Sequence, residues 1–175
     1  MRSIYREEWR LRSSSTLPID RHPRVSVVCL QWHVRAFPAL TVGELYAIVA
    51  LREQVFVVEQ ACAYQDADGL DPDAQHLWAA DPGDSTRIRA YLRLVPAGAR
   101  YAEASIGRVI VAPPARGTGL GRALMERGLA ALAPAAIRLS AQAHLEGFYG
   151  SLGFVRSSDI YDEDGIPHVE MLRAH

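Results

Sequence analysis

One stretch constrains this chain more than any other: Val109-Ile110-Val111-Ala112-Pro113-Pro114-Ala115-Arg116-Gly117-Thr118-Gly119-Leu120-Gly121-Arg122. The β-branched run ending in two prolines reads as a strand that stops there, because proline cannot donate to a sheet ladder. Leu120, Leu124 and Ala131 then follow as an amphipathic helix stopped by Pro134. Between strand and helix stand three alternating glycines, which turn tightly and let backbone amides approach an anion with no Cβ in the way. The first turn of the helix adds unpaired N–H donors and the positive end of the helix dipole. The stretch therefore predicts an α/β fold whose strand-to-helix turn is a phosphate or pyrophosphate cradle. A glycine-rich connection that binds nothing is the competing reading.

Two nucleotide motifs fail on the same residues. A dinucleotide fingerprint needs G-x-G-x-x-G and an acidic residue about 20 positions on, whereas the region around Ile137-Arg138 has no carboxylate. A phosphate-binding loop of the lysine type is excluded because the chain has no lysine: all 19 basic residues are arginine.

Around this stretch the elements alternate. Val25–Val34 reads as a strand, and Thr41 with Glu44 has capping-box spacing ahead of Leu45, Ile48, Val49, Val55 and Phe56, so a helix is predicted to about Phe56. Glu59 to Asp73 is turn chemistry and reads as a solvated loop, with Asp66, Asp68, Asp71 and Asp73 on it. His76–Ala80 and Arg87–Val95 flank Asp81-Pro82-Gly83-Asp84 as an antiparallel hairpin. Further strands are predicted at Ala104–Val111, Ala136–Gln142, Phe154–Ile160 and Val169–Arg173, with a short helix at His144–Leu152 ending on Gly153. The expected architecture is α/β (α+β, mixed sheet) in one domain.

At 175 residues the chain is the size of one domain and buries a core without staples. A formal net charge of −1 supplies no footprint for nucleic acid or an anionic membrane, and neither partner is expected. Cys29 and Cys62 are isolated and the six histidines are scattered, so no metal site is expected; two reduced thiols suit a cytoplasmic protein. The D-x-D-G of Asp66–Gly69 lacks the downstream glutamate of a calcium loop, since position 77 is Leu77. Residues 1–24 carry charges and serines without an apolar core and read as an N-terminal extension rather than a secretory signal, leaving 25–175 as the domain.

The spacing Arg116-Gly117-Thr118-Gly119-Leu120-Gly121 resembles the coenzyme A pyrophosphate loop of the GNAT acetyltransferase superfamily. Downstream, Phe148-Tyr149-Gly150-Ser151-Leu152-Gly153-Phe154 is similar to that superfamily's F-Y-x-x-x-G-F segment. Four further strings resemble its ElaA-type branch: Leu51 to Gln60, Tyr64 to Gly69, Ala141 to Leu145, and Tyr161 to His168. The resemblance runs from about Val28 to the C-terminus. It implies a single acyltransferase domain with a central, mostly antiparallel sheet flanked by helices. It also implies acetyl-CoA as co-substrate, no metal, and direct attack by an amine in a ternary complex. The acceptor is left as a small-molecule or peptide amine, and a homodimer is left open. Many superfamily members carry Asn and Ala where this chain has Gln142 and Leu145, so no side-chain contact to the pantetheine arm is carried over there.

On that resemblance, the amides of Gly117 to Arg122 hold the pyrophosphate, with Arg116, Thr118 and Leu120 as loop members. The main chain of Val109, Ile110 and Val111 lies along the pantetheine arm, and an N–H there polarises the thioester carbonyl. Tyr149 is expected as the general acid that protonates the leaving thiolate. Leu145, Phe148, Tyr149 and Leu152 also fall at helical spacing, so a core stripe is the alternative. An alkylammonium with a pKa near ~10.4 must lose a proton before attack; Glu59, His144, His168 and a water chain are the candidate bases. Arg52 either anchors an acceptor carboxylate or pairs with Asp66 or Asp68. Carboxylates at Glu59, Asp66 and Asp68 near the entrance favour a cationic acceptor. Two rival functions are an acyl-homoserine-lactone synthase-like reaction, suggested by Arg52, Phe56, the acidic loop and Arg93, and a non-catalytic coenzyme A sensor.

Overall fold

The computed structural model describes residues 29–174. The extension expected at 1–24, and the start of the strand expected from Val25, lie outside the described residues.

Eight strands form one sheet in the order β1-β2-β3-β4-β5-β8-β6, with β7 on β8. In chain order they are β1 (Gln31–Ala36), β2 (Gln75–Asp81), β3 (Asp84–Val95), β4 (Ala104–Val111), β5 (Ile137–Gln142), β6 (Val155–Arg156), β7 (Tyr161–Glu163) and β8 (Ile166–Arg173). Every pairing is antiparallel except β4 with β5. That parallel pair is short: only Ala104 with Ile137 and Ser105 with Arg138 are in register before the strands part.

Helices cover both faces. Strand β2 alternates accordingly: Leu77 and Ala79 enter one core while Trp78 and Ala80 enter the other. Helix α1 (Val42–Arg52) closes the second core through Ile48. Its capping box forms as the spacing predicts, with the Glu44 N–H donating to Thr41 Oγ1 at 3.2 Å and the Thr41 N–H to Glu44 Oε2 at 2.9 Å. Helix α2 (Leu120–Leu132) closes the first core through Leu120, Leu124 and Met125. It presses so close that a Cβ on Gly128 would meet Leu92 Cδ2 at 2.9 Å.

Three elements differ from expectation. The helix expected to Phe56 ends at Arg52 and widens into a π-helix over Glu53–Glu59, where the Gln60 N–H reaches back five residues to Val55 O at 3.0 Å. The strand expected at Phe154–Ile160 shrinks to β6, because Ser158 Oγ takes up the Glu170 N–H that a longer ladder would use. The C-terminal strand begins at Ile166 rather than Val169 and hairpins with β7 through Asp164 and Gly165, both at positive φ. Two successive left-handed residues are what a tight hairpin turn demands. The short helix α3 (Glu146–Gly150) is preceded by a single 3₁₀ turn at Ala143–Leu145.

Candidate active site

Strand β4 ends at Val111, and a 3₁₀ turn at Pro113–Ala115 redirects the chain into the glycine loop. Gly117 and Gly119 lie at φ +73 and +84, conformations open to glycine at little cost. Thr118 Oγ1 donates to Ala115 O at 2.7 Å and pins the loop. Gly119 caps α2. The Arg116 N–H donates to Pro113 O at 3.3 Å and the Arg122 N–H to Gly119 O at 3.1 Å, so the amides left for an anion are those between them. They sit at the positive end of a 13-residue helix, a donor set that fits a pyrophosphate.

Arg116 braces this loop from below. Its Nε donates to Val111 O at 3.0 Å, and its two terminal nitrogens donate to Glu59 Oε1 and Oε2 at 2.6 and 2.9 Å. Glu59 thus carries no spare charge for an acceptor. Its hydrogen bonds from Arg116 hold the carboxyl below the usual carboxylate range, which makes it a weaker base.

Beside the loop, β4 is bulged. Tyr91 of β3 pairs with Ile110 while Arg93 pairs with Gly107, so β4 carries one extra residue over that interval. Arg108, within the bulge, is left-handed at φ +54. Past it, the Ala112 N–H bonds back to Arg89 O on β3 at 2.9 Å. By the alternation of an antiparallel ladder, the main chains of Val111 and Val109 point the other way, toward the gap that β5 leaves.

A cavity of about 170 Å³ opens in that gap. Gly107 and Val109 of β4, Leu139 and Gln142 of β5, Tyr149 of α3 and His168 of β8 all line it. Tyr149 is 6% exposed and packs edge-on against Phe148 and Phe154, with ring centres 5.1 and 6.1 Å away. It is therefore both a core residue and a cavity residue. Its hydroxyl makes no hydrogen bond among the described residues. Burial pushes the phenol up to about 12, so at neutral pH it holds its proton. His168 stands between Gln142 of β5 and Tyr161 of β7 in register. Its Nδ1 lies 2.8 Å from Ile166 O. A carbonyl only accepts, so Nδ1 carries the hydrogen, and in the neutral ring the lone pair is on Nε2. Glu59 and His144 are not among the cavity-lining residues.

The acidic loop departs most from expectation. Asp66 is buried, Asp71 half-buried and Asp68 exposed, yet all three interlock with Arg52, Arg93 and Arg108. Arg52 donates to Asp66 Oδ2 at 2.6 Å and Asp71 Oδ1 at 2.7 Å. Arg93 binds Asp68 Oδ2 at 2.6 Å and Asp71 Oδ1 at 2.9 Å, and Arg108 binds Asp66 Oδ1 at 2.7 Å. Arg52 and Arg93 are each 1% exposed. Burial pushes the Asp68 and Asp71 carboxyls up, but the arginines more than offset it and hold both below the ordinary range. Asp66 and Asp68 therefore do not offer free charge to a cationic acceptor, and Arg52 does not face an acceptor carboxylate. Asp68 and Asp73 remain exposed as expected, but Asp68 is paired. The carboxylates that do line the cavity are Glu163 and Asp164, both within the Tyr161–His168 string.

A strand-bulge-loop-helix unit with an amide cradle, beside a cavity at parting parallel strands, is the arrangement of an acyltransferase domain. Residues 51–174 match the acetyltransferase (GNAT) domain model, and the chain belongs to that family. It is 40% identical to protein ElaA of Escherichia coli over 152 residues, covering 82% of this chain and 96% of ElaA. The crystal structure of E. coli ElaA superposes with a TM-score of 0.76 over 82% of this chain and 99% of that one. An acyl-CoA N-acyltransferase structure from Pseudomonas aeruginosa is 46% identical, with a TM-score of 0.78 over 83% of this chain and 99% of that one.

Proposed function

We propose that the protein transfers the acetyl group of acetyl-CoA to a primary amine by direct attack in a ternary complex. The amides of Gly117, Gly119, Leu120 and Gly121 take the pyrophosphate, while Arg122 shapes the helix start and Arg116 and Thr118 hold the loop. The main chain of Val109, Ile110 and Val111 lies along the pantetheine arm, and the Val109 N–H donates to the thioester oxygen as negative charge develops there. His168 Nε2 accepts the proton of the incoming ammonium, directly or through water. The neutral amine attacks the thioester carbon to give a tetrahedral intermediate. As it collapses the C–S bond breaks, the Tyr149 hydroxyl protonates the departing sulfur, and the second N–H proton of the attacking nitrogen passes through water to restore the Tyr149 phenol. Glu59 serves this scheme as a brace on Arg116 rather than as the base.

The observation that carries the reading is the free hydroxyl of buried Tyr149 in the same cavity as Val109 of the β4 bulge. A phenol and strand main chain lining one gap support the reading, since acyl transfer from a thioester needs a proton donor and an oxyanion donor together. The test is to incubate the protein with acetyl-CoA and a panel of small amines and peptides. Thiol release and acetylated product are then measured together. Amine-dependent thiol release with a matching product supports the reading; coenzyme A binding without turnover of any amine would instead leave a sensor.

A further inference from the structure

We propose that Arg108 is a positioning residue, which holds the β4 bulge so that the Val109 amide meets the thioester oxygen. The inference rests on the acyl-transfer reading above. Three facts lead to it. First, Arg108 takes a left-handed conformation at φ +54, which costs a residue with a Cβ, while its neighbour Gly107 does not adopt one. The backbone strain of the bulge thus sits on a long cationic side chain, where glycine would carry it freely.

Second, that side chain is held through Nε and Nη2. Arg108 Nε donates to Asp66 Oδ1 at 2.7 Å, and Nη2 donates to Asp66 O and Asp68 Oδ2, each at 3.1 Å. The guanidinium also lies over the rings of Tyr64 and Phe56, 5.4 and 5.9 Å from their centres. Third, its partners are themselves immobilised. Asp66 is held by Arg52 and by the Tyr64 hydroxyl at 2.8 Å, and Asp68 by Arg93. Arg52 stands at the end of α1 and Arg93 in β3, so the bulge is tied to the covering helix and to the adjacent strand through one charge-balanced lattice. Gly107, Arg108 and Val109 line the cavity, so the lattice ends where the thioester would be polarised.

The decisive variant is Arg108→Gly, which relieves the backbone and removes the tether together. Hydrogen exchange of the ligand-free protein should show the β4 bulge amides exchanging at least about tenfold faster, with α2 and β5 unchanged. Turnover should fall by about ten- to a hundredfold with the KM for acetyl-CoA within about threefold, because misplacing a donor slows the chemistry without undoing the pyrophosphate cradle. Arg108→Lys keeps the charge but cannot bridge both aspartates with a planar fork, and should fall between. If Arg108→Gly does not fold, the same comparisons on Arg108→Lys decide. Exchange equal to wild type, or a loosened bulge with normal turnover, overturns the proposal. A wild type that binds no acetyl-CoA would overturn the acyl-transfer reading instead, and the exchange comparison still decides whether Arg108 holds the bulge.

Discussion

Arg116 and Glu59 close a two-pronged ion pair at 2.6 and 2.9 Å across 57 positions of chain, joining the glycine loop to the end of the π-helix. The pair gives Glu59 a role that does not involve substrate. Glu59→Gln should keep turnover within about threefold, whereas loss of a direct base costs about 10²–10⁴-fold. Steady-state kinetics on a saturating amine separates the two.

Gly119 carries a different constraint from the one its motif suggests. A Cβ built there meets nothing within 4 Å, so crowding within the protein is not the obstacle; the φ of +84 is. Gly119→Ala should cost about 1–2 kcal/mol of stability through backbone strain and weaken coenzyme A binding as the cradle relaxes. Thermal melting and calorimetry read the two effects, and Gly119→Val should be worse on both.

The arginine-paired aspartates set an acid limit. Asp68 and Asp71 are held below their unfolded values of about 3.9. The unfolded chain therefore binds protons first as pH falls. The stability they contribute is present above about pH 4 and is lost on further acidification through the lower folded-state values. Denaturant midpoints should hold nearly constant down to about pH 4 and fall progressively below it. Asp73→Asn, on the exposed side of the loop, should shift stability by less than about 0.5 kcal/mol.

Alkaline behaviour has the opposite sign. The Tyr149 phenol is raised to about 12 by burial, against about 10 in an unfolded chain. The folded state therefore loses stability as pH rises from about 10 toward about 12, where the unfolded chain ionises first. Within a stable range up to about pH 10, turnover should show no alkaline loss assignable to this group. A pH–rate profile with a fixed neutral amine fraction checks this.

Much of the frame was legible because it rests on local chemistry. The Thr41–Glu44 capping box is written in four consecutive residues, and β4 runs from Ala104 to Val111 as its pattern of valine, isoleucine and terminal proline requires. The glycine loop and Tyr149 were readable for the same reason. What escaped depends on distance. Nothing near Asp68 indicates that Arg93, 25 positions on, and Arg108, 40 positions on, will neutralise it. Neither could the bulge be seen, since its strained residue is an arginine beside an available glycine. The β7–β8 hairpin had a local signal in Asp164-Gly165, a pair suited to two left-handed positions.

The central claim is that the Tyr149 hydroxyl protonates the leaving sulfur. Tyr149→Phe keeps the ring and its contacts with Phe148 and Phe154, so it isolates one oxygen. The measurement is kcat for thiol release by Tyr149→Phe against wild type, with coenzyme A affinity and melting temperature measured on the same samples. The account predicts a fall of about 10²–10⁴-fold, equivalent to roughly 3–5 kcal/mol of transition-state stabilisation, with affinity and melting temperature nearly unchanged. A donor with a more acidic leaving thiol should recover part of the loss. Near-normal turnover in Tyr149→Phe, or activity lost only with the fold, would contradict the account and return Tyr149 to the core alone.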